Sequence, residues 1–183
     1  MDKILVTGSS GFIGKKIIER LDKLKVITDS NDSEYINLQN REQVMKLDSA
    51  DTVIHLAGKT PQKKLKWSEY FDNNVIGTLN ILEYCIQNKV KKMIYVSSYV
   101  YGNPKYSPIN EKHPINPHNA YTKSKYLAEQ LCEFYAKNSD LNIIILRPFN
   151  IFGKTLPNGF LITNLLKSIQ TNEKVTIFNK DSK

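Results

Sequence analysis

Tyr121 and Lys125 lie four residues apart in a stretch whose pattern predicts a helix, so their side chains share one helical face. A tyrosine has a reference pKa of about 10, which is too high for a proton acceptor at neutral pH. A neighbouring ammonium group favours the phenolate and lowers that pKa. The pair can therefore supply a general base. By itself, however, this spacing is far more often an ordinary helical pair.

Three glycines, Gly8, Gly11 and Gly14, follow a short apolar run and open an amphipathic segment. Glycines at such a strand-to-helix turn let the backbone turn sharply and approach a pyrophosphate, and the helix N-terminus then presents free N–H groups to the phosphates. The segment is not the phosphate loop of nucleoside triphosphatases, because Lys16 stands where that loop needs Ser or Thr. It predicts a dinucleotide site, with a tight turn that binds nothing as the alternative.

Asp29 ends the second predicted strand, where a carboxylate can accept hydrogen bonds from an adenosine ribose. Residues 30–40 contain no Arg or Lys that could bind a 2′-phosphate. The pattern therefore favours NAD over NADP, and a strand-end turn residue is the alternative interpretation.

Apolar runs alternate with amphipathic segments along the chain and indicate the elements that position these residues. Strands are predicted at 3–7, 25–28, 52–56, 92–97, 142–146 and 175–178. Helices are predicted at 12–24, 41–47, 67–88, 120–137 and 160–170. Because the strands are apolar throughout, they indicate a mostly parallel sheet covered on both faces. The predicted fold is α/β, a doubly wound, Rossmann-like sheet with ligands at the carboxyl ends of its strands.

The composition excludes several other classes of protein. The formal net charge is +8, but Lys accounts for nearly all of the basic residues and is spread along the chain, so we expect no nucleic-acid partner. No run approaches about 18 apolar residues, so no membrane span is expected. The cysteines, Cys85 and Cys132, form no metal or disulfide motif and fall in helix-like stretches, which is typical of buried thiols in the cytoplasm. No metal site is predicted.

The glycine spacing G-x-x-G-x-x-G resembles that of the short-chain dehydrogenase/reductase superfamily. Five further motifs resemble its extended branch, the NAD-dependent nucleotide-sugar epimerases and dehydratases. In chain order they are HLAG at 55–58, NVIGT at 74–78, SSYVYG at 97–102, YTKSK at 121–125 and RPFNIFG at 147–153. The resemblance implies an NAD-binding domain over residues 1–153 and the beginning of a substrate domain over residues 154–183.

The resemblance also implies which residues contact NAD. Those on the adenosine side are Gly8, Gly11, Phe12, Ile13, Gly14, Asp29 and Leu38, although Asn37 stands where the family usually has Asp. Those on the nicotinamide side are Leu56, Ala57, Gly58, Asn74, Pro148 and Phe149, together with Tyr121 and Lys125. His55 is interpreted as a structural histidine at a strand end.

In the family, the tyrosine removes a proton from a sugar hydroxyl while hydride passes to NAD⁺, and the lysine holds the cofactor ribose and the phenolate. A Ser or Thr hydrogen-bonds the reacting oxygen. Counting back four residues from Tyr101 assigns that role to Ser97, with its neighbour Ser98 as the second candidate. Ser98 and Asn150 are the expected polar contacts to a nucleotide-sugar substrate.

The type of reaction follows from a departure from the family pattern. Ser98 and Tyr99 stand where the dehydratases carry acidic residues, so elimination of water is not expected. Epimerization and 4-keto reduction remain, and a preference for NAD favours epimerization. The resembling families continue into a larger substrate domain, so a truncated dinucleotide-binding module without sugar turnover is the alternative. The resemblance also implies a homodimer paired through helices 67–88 and 120–137.

Overall fold

Five strands form one parallel sheet in the computed structural model, which describes residues 3–23, 27–29, 36–61, 64–153 and 161–174. The strands are β1 (Lys3–Thr7), β2 (Ile27–Asp29), β3 (Thr52–His55), β4 (Lys92–Val96) and β5 (Asn142–Leu146). Their order across the sheet is β2-β1-β3-β4-β5, and all four pairings are parallel. The predicted α/β fold with a Rossmann-like parallel sheet is confirmed.

Six α-helices connect or follow the described strands. They are α1 (Phe12–Lys23), α2 (Arg41–Met45), α3 (Trp67–Phe71), α4 (Gly77–Gln87), α5 (Ala120–Asn138) and α6 (Leu161–Thr171). The strand order reverses direction between β1 and β3, and right-handed crossovers then place α1 on one face of the sheet and α4 and α5 on the other. The sheet is therefore doubly wound, with its switch point between β1 and β3.

The continuous helix predicted over 67–88 is interrupted. A π-helical turn (Asp72–Ile76) separates α3 from α4. The apolar residues within α3 and within α4 keep ordinary helical spacing on either side of this turn. Hydrophobic periodicity therefore did not reveal the π-helical turn. Such turns are frequent at functional sites, and this one contains Asn74.

The core lies between the sheet and the paired helices α4 and α5. Fully buried apolar side chains come from both layers, namely Val53, Met93, Tyr95, Ile81, Leu82, Cys85, Ala128 and Cys132. The two cysteines are buried and free, as their helical context predicted.

Among the residues that the structure describes, only one face of β5 is covered. Ile144 and Leu146 are exposed, whereas Ile143 and Ile145 pack against the core. β5 is the edge strand of the described sheet, and α5 covers only one of its faces. Its all-apolar sequence does not reveal this asymmetry, because both faces carry residues of the same type.

The chain divides into two compact units, Met1–Phe149 and Asn150–Lys183. The first contains the sheet with α1 to α5, and the second contains α6. The strand predicted at 175–178 lies outside the described residues. Within the described part of the chain, no helix combines the length and apolar character needed to cross a membrane.

Candidate active site

The turns that follow β1 and β3 meet at the switch point of the sheet. Gly8 has a φ of +74°, a left-handed conformation that favours glycine. A Cβ atom at Gly8 would lie 2.7 Å from the backbone nitrogen of Ala57. The two turns are therefore in direct contact, and they form the floor of a crevice at the carboxyl ends of the strands, where ligands of doubly wound folds bind.

Backbone atoms pack closely around the glycine turn. The N–H of Gly11 donates to the Gly8 carbonyl at 3.0 Å, which closes the turn just before α1 begins. A Cβ atom on the buried Gly14 would lie 2.2 Å from that same carbonyl oxygen. No acidic residue occupies the first turn of α1, so its positive N-terminal end is available to an anion. These residues fit the pyrophosphate of a dinucleotide, with half-buried Phe12 and Ile13 in the first turn of the helix.

The adenosine side of the crevice is described only in part. Asp29 is the last residue of β2, as predicted, but its side chain and residues 30–35 lie outside the described part of the structure. Leu38 is half-buried against the start of α4, and its carbonyl accepts a hydrogen bond from Asn80 Nδ2 at 2.7 Å. A Cβ atom on Gly77 would lie 3.3 Å from Leu38 Cβ.

Tyr121 lies in the first turn of α5, which begins after a well-formed cap. The Asn119 side chain accepts a hydrogen bond from the Thr122 N–H at 2.8 Å. The Tyr121 ring packs edge-on against Tyr70, with centroids 6.0 Å apart. Burial raises the pKa of Tyr121 above its ordinary value, and a hydrogen bond from Ser98, which stabilises the phenolate, opposes that shift.

Of the two neighbouring serines, Ser98 is the one whose side-chain hydrogen bond lowers the pKa of Tyr121. The Ser97 N–H donates to the Leu146 carbonyl at 2.8 Å, so Ser97 continues the pairing of β4 with β5. Its hydroxyl is buried and has no hydrogen-bond partner among the described residues. The assignment of the contact to the reacting oxygen to Ser97, with Ser98 as the second candidate, stays a prediction.

Lys125 lies one turn after Tyr121 and is almost completely buried. Its ammonium group is 4.4 Å from the centroid of the Tyr95 ring and 3.9 Å from where a Cβ atom on Gly58 would lie. Burial lowers the pKa of Lys125 to about 8. Burial is the largest influence on the pKa of Tyr121, and the expectation that the ammonium and a positive nicotinamide lower this pKa together stays a prediction.

Asn74, which is predicted to line the path of the nicotinamide, hydrogen-bonds within the protein. Its Oδ1 accepts from the Lys59 N–H at 2.8 Å, and its Nδ2 donates to the Lys59 carbonyl at 3.1 Å and to Ser124 Oγ at 2.9 Å. Both amide hydrogens are used. Asn74 therefore holds the segment after Gly58 against α5, and Leu56, Ala57 and Gly58 remain at the crevice.

Pro148 and Phe149 follow an Arg residue that is anchored inside the first unit. Arg147 donates three hydrogen bonds of 2.7 to 3.1 Å to the fully buried Glu129 carboxylate, which lies one turn after Lys125 on α5. The hydrogen bonds to Glu129 raise the pKa of Arg147 above its ordinary value. The exposed Phe149 ring contacts Tyr99 edge-on at 5.1 Å. Asn150, the other predicted substrate contact, is exposed and begins the second unit.

A cavity of about 430 Å³ opens beside Tyr121. Its side-chain walls include Leu65, Trp67 and Tyr70. Trp67 is 78% exposed. Sequence reasoning missed these three residues, because helical periodicity treats them as ordinary positions at the start of a helix.

The comparisons with known proteins agree on one family. The profile described as NAD dependent epimerase/dehydratase family matches residues 4–183. The chain is 34% identical to UDP-glucose 4-epimerase 4 of Oryza sativa subsp. japonica, over 86% of this chain and 51% of that protein. It is 35% identical to the N-acetyl-alpha-D-glucosaminyl-diphospho-ditrans,octacis-undecaprenol 4-epimerase of Escherichia coli O157:H7, over 92% of this chain and 54% of that protein.

Among solved structures, RMD from Pseudomonas aeruginosa complexed with NADPH is similar, with a TM-score of 0.84 and 27% identity. The match covers 94% of this chain and 63% of that one. The chain spans about half the length of the curated relatives that it matches.

Proposed function

The chain belongs to the NAD-dependent epimerase/dehydratase family, and from that premise we propose that it binds NAD and acts as a nucleotide-sugar epimerase. The observation that carries this proposal is the grouping of Ser98, Tyr121 and Lys125 beside the contacting turns that follow β1 and β3. Interconversion of UDP-glucose and UDP-galactose in the presence of NAD, with the products identified by chromatography, tests it.

Each polar group of the site has a distinct role in this proposal. Bound NAD supplies a hydride acceptor and donor. Tyr121 takes the proton of the sugar hydroxyl as the general base, and Ser98 hydrogen-bonds to Tyr121 and orients the reacting oxygen. Lys125 holds the cofactor ribose, and its positive charge beside the site favours the phenolate over the phenol. Because burial raises the pKa of Tyr121, positive charge at the reacting centre is needed for the phenolate to form at neutral pH.

We also propose a substrate class and a role for each of the two units. The named 4-epimerases among the relatives favour a sugar activated by a diphosphate. The cavity beside Tyr121 is large enough to admit part of such a ligand. We assign the cofactor and the catalytic groups to the unit ending at Phe149, and we interpret the second unit, with Asn150, as the beginning of a substrate domain.

We expect NAD to bind at least about tenfold more tightly than NADP, because the Asp29 carboxylate repels a 2′-phosphate and accepts hydrogen bonds from the ribose. Isothermal calorimetry with both dinucleotides measures the ratio. Asp29→Asn should reduce the preference for NAD over NADP. Asp22→Asn on α1 removes the same charge elsewhere and is the control. Equal or tighter binding of NADP would reject the assignment and favour a 4-keto-sugar reductase.

We expect a homodimer paired through the segment from α3 to α4 and through α5. Large apolar side chains are exposed on these elements, among them Ile76, Ile86 and Phe134. Sedimentation velocity should show a dimer at micromolar concentration, and Phe134→Glu should shift it toward monomer because a charge at such a contact is costly to desolvate. A monomer at high concentration of the unaltered chain would exclude this assembly.

We further propose that the protein functions in the cytoplasm. Cys85 and Cys132 are both free and buried, and burial raises the pKa of each thiol to about 12. Unpaired thiols of this kind are typical of reducing compartments.

A further inference from the structure

His55 is completely buried at the end of β3 and hydrogen-bonds two threonine hydroxyls on opposite sides of its ring. Nδ1 lies 2.6 Å from Thr7 Oγ1 on β1, and Nε2 lies 3.0 Å from Thr78 Oγ1 on α4. The imidazole therefore joins the first strand of the sheet to the helix that covers it.

The hydrogen position on the Nε2 side follows from the neighbouring groups. The Thr78 hydroxyl donates to the Asn74 carbonyl at 2.6 Å, so its single hydrogen is already used. Thr78 Oγ1 can then only accept from His55, which places a hydrogen on Nε2. Burial, with a smaller contribution from the Lys125 charge, lowers the pKa of His55 to about 3. The ring is therefore neutral, and Nδ1 is an acceptor.

The other side of the ring leads to the cofactor crevice. Because Nδ1 accepts, the Thr7 hydroxyl donates to it. The same oxygen accepts from the Ala57 N–H at 3.3 Å. Ala57 is the residue that contacts Gly8 of the glycine turn. The imidazole of His55 is thus connected, through the Thr7 hydroxyl, to the Ala57 backbone at the floor of the crevice.

The Nε2 side leads to Tyr121. The carbonyl and the side chain of Asn74 belong to the same residue of the π-helical turn, and its Nδ2 donates to Ser124 Oγ. The Ser124 hydroxyl donates to the Tyr121 carbonyl at 2.7 Å. The hydrogen bonds that run from Ala57 through His55 to Tyr121 thus have assigned donors and acceptors, and Thr78 also hydrogen-bonds the Tyr95 side chain.

We propose that His55 is a positioning residue, whose neutral Nε2–H form holds the cofactor crevice through Thr7 and the Tyr121 turn through Thr78 and Asn74. This inference rests on the proposed function, since it assigns Ala57 to the cofactor and Tyr121 to the reaction. A neutral histidine can hold both sides because one ring nitrogen accepts a hydrogen bond and the other donates one. The His55 ring also packs against Tyr95, with ring centroids 5.7 Å apart.

The proton arrangement can be read directly by ¹⁵N NMR of the full chain labelled in its histidine rings. His113 provides an internal contrast, because its Nε2 accepts from the Lys105 N–H and its Nδ1 donates to the Pro114 carbonyl. We expect His55 in the Nε2–H form and His113 in the Nδ1–H form at pH 8, and His55 should remain neutral at pH 5. A charged His55 at pH 5, or His55 in the Nδ1–H form at pH 8, would overturn the proposal.

Two near-isosteric variants test separately the hydrogen bonds from His55 through Thr7 and those through Thr78. Thr7→Val should weaken NAD binding about tenfold, because the Ala57 N–H loses its acceptor and His55 loses its donor. Thr78→Val should leave NAD affinity within about twofold and lower kcat about tenfold, since displacing the Tyr121 turn slows the chemical step. Thr52→Val on the same strand as His55 lies outside the network and is the matched control. Thermal unfolding of all three variants is measured alongside.

A purely structural role for His55 would give a different result. Both variants would then unfold at lower temperature but keep NAD affinity and kcat in the folded protein, and that result would overturn the proposal. The proposal would also be overturned if Thr7→Val and Thr78→Val both changed only NAD affinity, or both changed only kcat. Failure of the unaltered chain to bind NAD would instead reject the proposed function, and the positioning role with it.

Discussion

Tyr121→Phe is expected to slow epimerization by about 10²- to 10⁴-fold, the range that a positioned general base contributes. The substitution removes only the hydroxyl, so the ring should keep its edge-on contact with Tyr70. NAD affinity should therefore remain within about twofold of that of the unaltered chain. The measurement combines calorimetry with initial rates of UDP-galactose conversion.

Tyr126→Phe is the matched control for this prediction, since Tyr126 is a half-buried tyrosine on the same helix and is not part of the proposed site. Ser98→Ala should also reduce the rate substantially, whereas Ser97→Ala should have a smaller effect, because the hydrogen bond to Tyr121 comes from Ser98. Unchanged turnover in Tyr121→Phe, or a larger loss in Ser97→Ala than in Ser98→Ala, would contradict these assignments.

Gly14→Ala is expected to abolish measurable NAD binding and to lower the free energy of unfolding by about 3 kcal/mol, the upper part of the range for overpacked sites. Its Cβ atom would lie 2.2 Å from the Gly8 carbonyl oxygen and 2.7 Å from Ser9 Cα. Both are backbone atoms, so relief requires the glycine turn itself to move. Denaturant unfolding and calorimetry give the two quantities.

Gly77→Ala is the corresponding control on a different helix. Its Cβ atom would meet only Leu38 Cβ at 3.3 Å, and alanine has a higher helix propensity than glycine. We expect a change in the free energy of unfolding within about 1 kcal/mol. A Gly14→Ala protein that folds and binds NAD as tightly as Gly77→Ala does would show that the turn is not a close-packed phosphate site.

Much of this arrangement could be predicted from sequence because parallel strands bring their carboxyl ends to one edge. Gly8 after β1 and Ala57 after β3 are far apart in the chain, yet apolar strand runs and a switch point suffice to predict that they meet. Tyr121 and Lys125 were recognisable as a pair because four residues make about one helical turn.

The parts that could not be predicted depend on details that residue patterns do not encode. The surroundings of Ser97 and Ser98 depend on the end of the β4–β5 pairing, where the Ser97 N–H bonds the Leu146 carbonyl and the Ser97 hydroxyl is buried without a partner among the described residues. The sign of the pKa shift of Tyr121 depends on its burial, a tertiary property. The commitment of both Asn74 amide hydrogens depends on the π-helical turn, which hydrophobic periodicity did not reveal.

The most direct test of the central claim uses UDP-galactose that carries deuterium at C4 of the sugar, mixed with the chain and NAD. Transient oxidation at that carbon, with Tyr121 as the base, predicts deuterium in the nicotinamide ring of quenched cofactor, detected by mass spectrometry, and no such transfer in Tyr121→Phe. Interconversion to UDP-glucose during which the deuterium never enters the cofactor, or is lost to solvent, would contradict the proposed mechanism.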